Sequence, residues 1–175
     1  MRMRRYFAFA ARTPVLLTSL VCALLILFGV FPALPIGAVL LDVRNGYSYP
    51  ELVAVMAQYG ASGRQVYAWA SPTVDTLFPM AYVTLFSGIL YRFRPLEGLW
   101  VMAWIPVFAG IWDLCENAQI TAMLLMYPDI GETQVAWASF FTHVKTAWIG
   151  PAYQWPAIAF VLVALWRAAM RRWSP

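Results

Sequence analysis

The stretch from Val15 to Phe31 carries no charge, and apolar sequence continues beyond it to Leu41. A run of this kind is long enough for a helix to cross the hydrocarbon core of a bilayer, and few soluble folds can accommodate it. The rest of the chain agrees: of 175 residues 62% are apolar and only 11% charged, against about 25% charged in an average soluble domain. So little charge cannot give a globule of this size a polar surface, which excludes an ordinary soluble enzyme and a disordered chain. Pro32-Ala33-Leu34-Pro35 offers no small-x-small cleavage site, so the first run is expected to be an uncleaved span, bent near its two prolines.

Three further apolar segments follow, and the pattern predicts an all-α integral membrane four-helix bundle forming one domain. Its spans cover about residues 15–41, 74–93, 99–127 and 135–166, the last with a break near 150 where Gly150-Pro151 falls. Residues 42–72 hold Asp42, Arg44, Glu51 and Arg64 and are too polar to cross lipid. Within them Ser48-Tyr49-Pro50-Glu51 has capping-box spacing, and Leu52, Val55, Met56 and Tyr59 follow at helical spacing. An external amphipathic helix ending near Gly60 is therefore expected.

The cations fix an orientation. Arg2, Arg4, Arg5, Arg12, Arg92, Arg94, Arg167, Arg171 and Arg172 fall on one side of the four spans, while Arg44, Arg64 and Lys145 fall towards the other. This positive-inside bias puts both termini in the cytoplasm. It also turns the net charge of +4 into a statement about topology and anionic lipid, so membrane lipids are expected partners and nucleic acid is not.

The remaining ionisable groups gather at one depth. Asp75, Asp113 and Lys145 lie about 26, 29 and 33 Å along their helices from Arg92, Arg94 and Arg167 at the helical rise per residue. Charges buried in lipid are costly and usually face protein and pair. Asp113, Glu116 and Asn117 share one helix face, and Asp75, Phe78, Pro79 and Tyr82 share another. Pro79 frees the carbonyl of Asp75, and Pro106 that of Met102. On the last span Lys145 aligns with Ala138, Phe141, Thr142 and Trp148, whereas His143 points about 160° away. Lys145 is expected to meet the acids, because a lysine without a carboxylate at this depth is harder to accommodate than a neutral imidazole. The polar cluster is thus Asp75, Asp113, Glu116, Asn117 and Lys145, with Arg64, Tyr67 and Tyr82 expected around an outer mouth.

Two readings of this cluster stay open. In one it is an ion-pair network that holds the spans in register and borders an outer groove for a lipid or a partner helix. In the other it is a reactive site, either an enzyme acting on an isoprenoid or other lipid with Asp113, Glu116 and Asp75 as catalytic candidates, Asp113 or Glu116 as general acid and Asp75 or Lys145 as electrostatic partner, or a small proton-coupled transporter. Four short spans enclose little volume, so a carrier of this kind is expected to be a homo-oligomer. Trp69, Trp100, Trp137, Trp148 and Trp155 read as interfacial belt residues. No metal or cofactor is expected. His143 is the one histidine, Cys22 and Cys115 lie apart in apolar sequence, and no P-loop, Rossmann, GxSxG or HExxH pattern occurs.

The runs Gly63-Arg64-Gln65-Val66-Tyr67, Asp75-Thr76-Leu77-Phe78-Pro79-Met80-Ala81-Tyr82 and Asp113-Leu114-Cys115-Glu116-Asn117, followed by Lys145, resemble a group of small uncharacterised bacterial four-span inner-membrane proteins. In that group GRxxY, DxxFPxxY, DxxEN and a late lysine recur in the same order. The resemblance covers about residues 45–150. It implies a bacterial inner-membrane location and treats these positions as one unit, and it names no reaction.

Overall fold

The computed structural model describes residues 2–173, and the side chains of Arg172 and Trp173 lie outside the described set. Among the described residues the chain is helical, with no strand. Helix α1 is Arg2–Ala10 and α2 is Thr13–Ala33. Helix α3 is Tyr49–Ala70 and α4 is Val74–Phe93. Helix α5 opens with tight turns over Glu97–Trp104 and continues as Ile105–Met126. Helix α6 runs through Glu132–Val144, Lys145–Ile149 and Gly150–Trp173. Four of these, α2, α4, α5 and α6, are long and apolar enough to cross a membrane.

Proline chemistry sets several boundaries. The first apolar helix stops at Ala33 rather than continuing to Leu41, because Leu34 precedes Pro35 and is extended (φ −70°, ψ 126°). The segment beyond folds back, burying Ile36 and Leu41. The break expected near residue 150 is absent. Instead Lys145–Ile149 forms a wide turn in which the Gly150 N–H reaches the carbonyl of Lys145, five residues back. The same device precedes Pro32, where the Phe31 N–H reaches Ile26. A wide turn makes room for a ring that cannot approach the carbonyl four residues earlier, so the helix continues. At 40 residues the Glu132–Arg171 stretch is about 60 Å long, well beyond the hydrocarbon thickness. In α5 the Met102 carbonyl is taken by the Ile105 N–H, so Pro106 leaves nothing free there.

Helix α3 begins as the sequence spacing predicts, with the Glu51 carboxylate accepting from the Ser48 N–H and hydroxyl, both at 2.7 Å. It does not end at Gly60. That glycine takes φ 64°, a conformation open to glycine at little cost, and the helix resumes to Ala70. The kink releases the Met56 carbonyl, which the Arg64 guanidinium caps at 2.8 Å while stacking on Tyr127. Leu52, Val55, Met56 and Tyr59 are buried, each such side chain contributing about 1.5–3 kcal/mol where it is removed from water.

Helix α4 is the centre of the packing, touching α1, α2, α5 and the second half of α6, while α3 lies against α5 and the first half of α6. Two apolar cores result. One gathers Leu52, Met56, Tyr67, Ile120 and Val135, and the other Phe7, Tyr82, Ala109, Tyr153 and Phe160. The outer side of α2 stays bare, with Leu17, Val21, Leu25 and Phe28 exposed, as expected of a surface whose solvent is lipid.

Candidate functional site

The charged residues lie between the two cores, as the order along α5 shows: Ala109, then Asp113, Glu116 and Asn117, then Ile120. From α6 the Lys145 ammonium donates to Asp113 Oδ1 at 2.9 Å and pairs with Glu116 Oε2. The other Glu116 oxygen accepts from the Thr142 hydroxyl at 2.5 Å. Glu116 and Thr142 are fully buried and Asp113 is 4% exposed. The Trp112 indole, stacked on Phe141 and donating to its carbonyl at 2.9 Å, fastens the same two helices just beside them. His143 points elsewhere. It is exposed and meets Asn45 at 3.1 Å.

Helix α4 joins through Asp75, and here the backbone matters as much as the side chain. The Asn117 amide donates to the Asp75 carbonyl at 3.4 Å, and the Ser71 hydroxyl donates to the Asn117 carbonyl at 3.3 Å. The Asp75 carboxylate itself is 6% exposed and borders a cavity. Among the described residues no hydrogen bond or ion pair reaches it, although Asp42, Asp113, Lys145 and Glu116 all lie within electrostatic range.

The structure adds residues that the sequence pattern did not single out. Asp42, in the short turn Leu41–Val43, is buried and accepts from the Tyr67 hydroxyl at 2.9 Å. That hydroxyl in turn accepts from the Leu41 N–H at 3.0 Å. Burial pushes the phenols of Tyr47, Tyr59 and Tyr67 above their ordinary range, with the Asp42 charge adding to the effect at Tyr67. They therefore stay neutral, and Tyr59 and Tyr67 act as donors, to the Val39 carbonyl and to Asp42. Gly63 explains the spacing before Tyr67, because a Cβ there would lie 2.3 Å from the Ile36 carbonyl oxygen. Arg64, expected near the outer mouth, caps the Gly60 kink instead and is not part of the cavity wall. Trp148, expected in line with Lys145, is 70% exposed, because the wide turn between them rotates less per residue and sets the helical register back.

The cavity has a volume of about 560 Å³. Asp42, Asp75, Asp113, Lys145, Thr146 and Gln154 supply its polar wall. Leu20, Leu24, Leu27 and Phe31 of α2, Phe78, Tyr82 and Phe86 of α4, and Tyr153 of α6 supply the apolar remainder. Tyr82 and Tyr153 stack with ring centres 6.0 Å apart. Among the described residues no three His, Cys, Asp or Glu side chains are grouped to hold a metal ion.

These features define an all-helical chain with four segments suited to a membrane, carrying a buried ion-paired cluster beside a largely apolar cavity. No protein-family model matches the chain, and neither the curated proteins nor the solved structures give a match.

Proposed function

We propose that this is a multi-pass protein of the bacterial inner membrane, a four-helix bundle with both termini cytoplasmic, that holds a lipid chain in the cavity beside its charged cluster. The orientation rests on the arginine distribution, and the bacterial setting on the resemblance of the Gly63–Tyr67, Asp75–Tyr82 and Asp113–Asn117 motifs. In this reading Lys145, Asp113 and Glu116 hold α5 and α6 in register. Their mutual pairing supports a positioning role over that of a free general acid.

The observation that carries the lipid reading is the composition of the cavity wall. It combines a polar side of acids and a lysine with a long apolar side, and α2, which closes it, is otherwise bare to the surroundings. Its volume is in the range of small-molecule sites, roughly 300–1,000 Å³. The test is mass spectrometry of lipid retained by the detergent-purified protein, with Leu27→Trp, at the α2 wall, as the blocked form. The reading requires near-stoichiometric lipid in the parent protein and its loss in the variant. Equal retention in both, or none in either, would refute it.

A further inference from the structure

We propose that Asp75 is the docking carboxylate for a positively charged head group, so that the cavity selects an amphiphile bearing a protonated amine. This rests on the lipid-cavity reading and specifies its ligand. Three observations carry it. First, the other buried acids are occupied: Asp113 and Glu116 share Lys145, and Asp42 accepts from Tyr67. Asn117 takes only the backbone carbonyl of Asp75. The Asp75 carboxylate is left 6% exposed, without a donor, on the cavity wall. A buried carboxylate in that position calls for a donor, and a cation is the strongest one.

Second, the lysine is committed. An anionic head would have to compete with Asp113 and Glu116 for Lys145 while lying among carboxylates. The acids thus discriminate against carboxylate or phosphate heads as well as favouring amines. Arg44 does not alter this, since among the described residues it forms no ion pair with the acids.

Third, aromatic rings line the same cavity wall as the carboxylate. Phe78 and Tyr82 follow Asp75 on the same face of α4, with ring centres 5.4 Å apart. Phe31 from α2 meets Phe78 edge-on at 5.6 Å, and Tyr153 from α6 stacks on Tyr82. Rings around a carboxylate make a site for an ammonium group, which is drawn to the ring faces and to the charge together.

The experiment compares dodecylammonium, dodecanol and dodecanoate as probes for the full chain in maltoside micelles, with native mass spectrometry counting bound amphiphile. We expect dodecylammonium to saturate at one per chain and to bind about tenfold or more tighter than the other two, the scale of one charge-assisted hydrogen bond. In Asp75→Asn that preference should vanish while dodecanol binding persists. Phe78→Leu, which keeps the carboxylate, should weaken dodecylammonium by a clearly larger factor than dodecanol, so the change in their ratio decides the matter if Asp75→Asn fails to fold. Equal binding of all three probes, or tightest binding of dodecanoate, would overturn the amine assignment and leave the lipid cavity standing. Binding of none would overturn the cavity reading itself.

Discussion

The side-chain amide of Asn117 donates to the backbone carbonyl of Asp75 at 3.4 Å, and that carbonyl is the one Pro79 deprives of its helical donor. In an α-helix the N–H of residue 79 would serve the carbonyl of residue 75, and proline has no N–H. Two motifs on different helices are thereby linked: the proline opens an acceptor in α4, and the asparagine one helix later fills it. The bond leaves the Asp75 carboxylate free to border the cavity.

This linkage predicts a coupled pair. Asn117→Ala should lower stability in detergent by about 1–3 kcal/mol, because a buried acceptor loses its donor. In a Pro79→Ala background the restored backbone N–H serves Asp75, so the same substitution should cost clearly less. A double-mutant cycle followed by thermal unfolding measures the difference. Strict additivity would show that the amide and the proline act independently.

Among the described residues Lys145 is the one cation paired with both Asp113 and Glu116, and its removal should be severe. Lys145→Met is expected to destabilise by about 3–5 kcal/mol, the scale for breaking a buried pair and leaving charge uncompensated. Combining it with Asp113→Asn and Glu116→Gln should recover much of the loss, since no orphaned charge then remains. Denaturation of the single and triple variants in the same micelle tests this. A triple variant no more stable than the single one would contradict the electrostatic account.

Gly63 lies where a backbone crosses closely. Gly63→Ala would put a methyl 2.3 Å from the Ile36 oxygen, and a main-chain atom cannot swing aside as a side-chain tip can. The 34–43 segment should be displaced, carrying Asp42 away from Tyr67. Faster amide exchange at Leu41, whose N–H is held by the Tyr67 hydroxyl, is the expected signature, and unchanged protection would exclude it.

Much of this arrangement could be read from the sequence, and what could not has identifiable causes. Asp113, Glu116 and Asn117 were legible because helical spacing alone fixes their common face, and Lys145 because an unpaired lysine at that depth is untenable. Periodicity misplaces Trp148 because it assumes a uniform helix, whereas the turn before Pro151 is wide. By local pattern Asp42 is one more charge on an external segment. Its burial depends on a loop folding back beneath a tyrosine 25 positions later in the chain, a contact no local pattern encodes. The neighbours of Arg64 in its motif point it to the outer mouth, while the carbonyl it caps is free only because Gly60 leaves the helix.

Acid should act on the start of α3. Hydrogen bonds from the Ser48 N–H and hydroxyl hold the Glu51 carboxyl below its ordinary value. A depressed value means that the stabilisation is present above the unfolded-state titration, near pH ~4.3, and is lost as pH falls through the folded one. Helicity of the 49–60 stretch, followed by hydrogen exchange, should therefore fray below about pH 4 in the parent. In Glu51→Gln it should vary little with acid, and identical acid profiles would remove the capping carboxylate from the account.

Alkali should act at the other side of the same element, through Tyr67. Its phenol is fully buried beside Asp42 and is held above its ordinary value by burial first and by that charge second. For a group whose folded value is raised, the associated stability is complete below the unfolded-state titration, about pH 10 for tyrosine, and declines as pH rises beyond it. Thermal stability should accordingly fall above about pH 10. Tyr67→Phe should be less stable than the parent at neutral pH, because Asp42 and the Leu41 N–H lose their partner, yet show a shallower alkaline decline. The decline should not vanish, since Tyr47 and Tyr59 are raised in the same sense by burial. Melting curves from pH 7 upward for the two proteins give the slopes, and a variant with an undiminished alkaline slope would show that Tyr67 does not contribute to it.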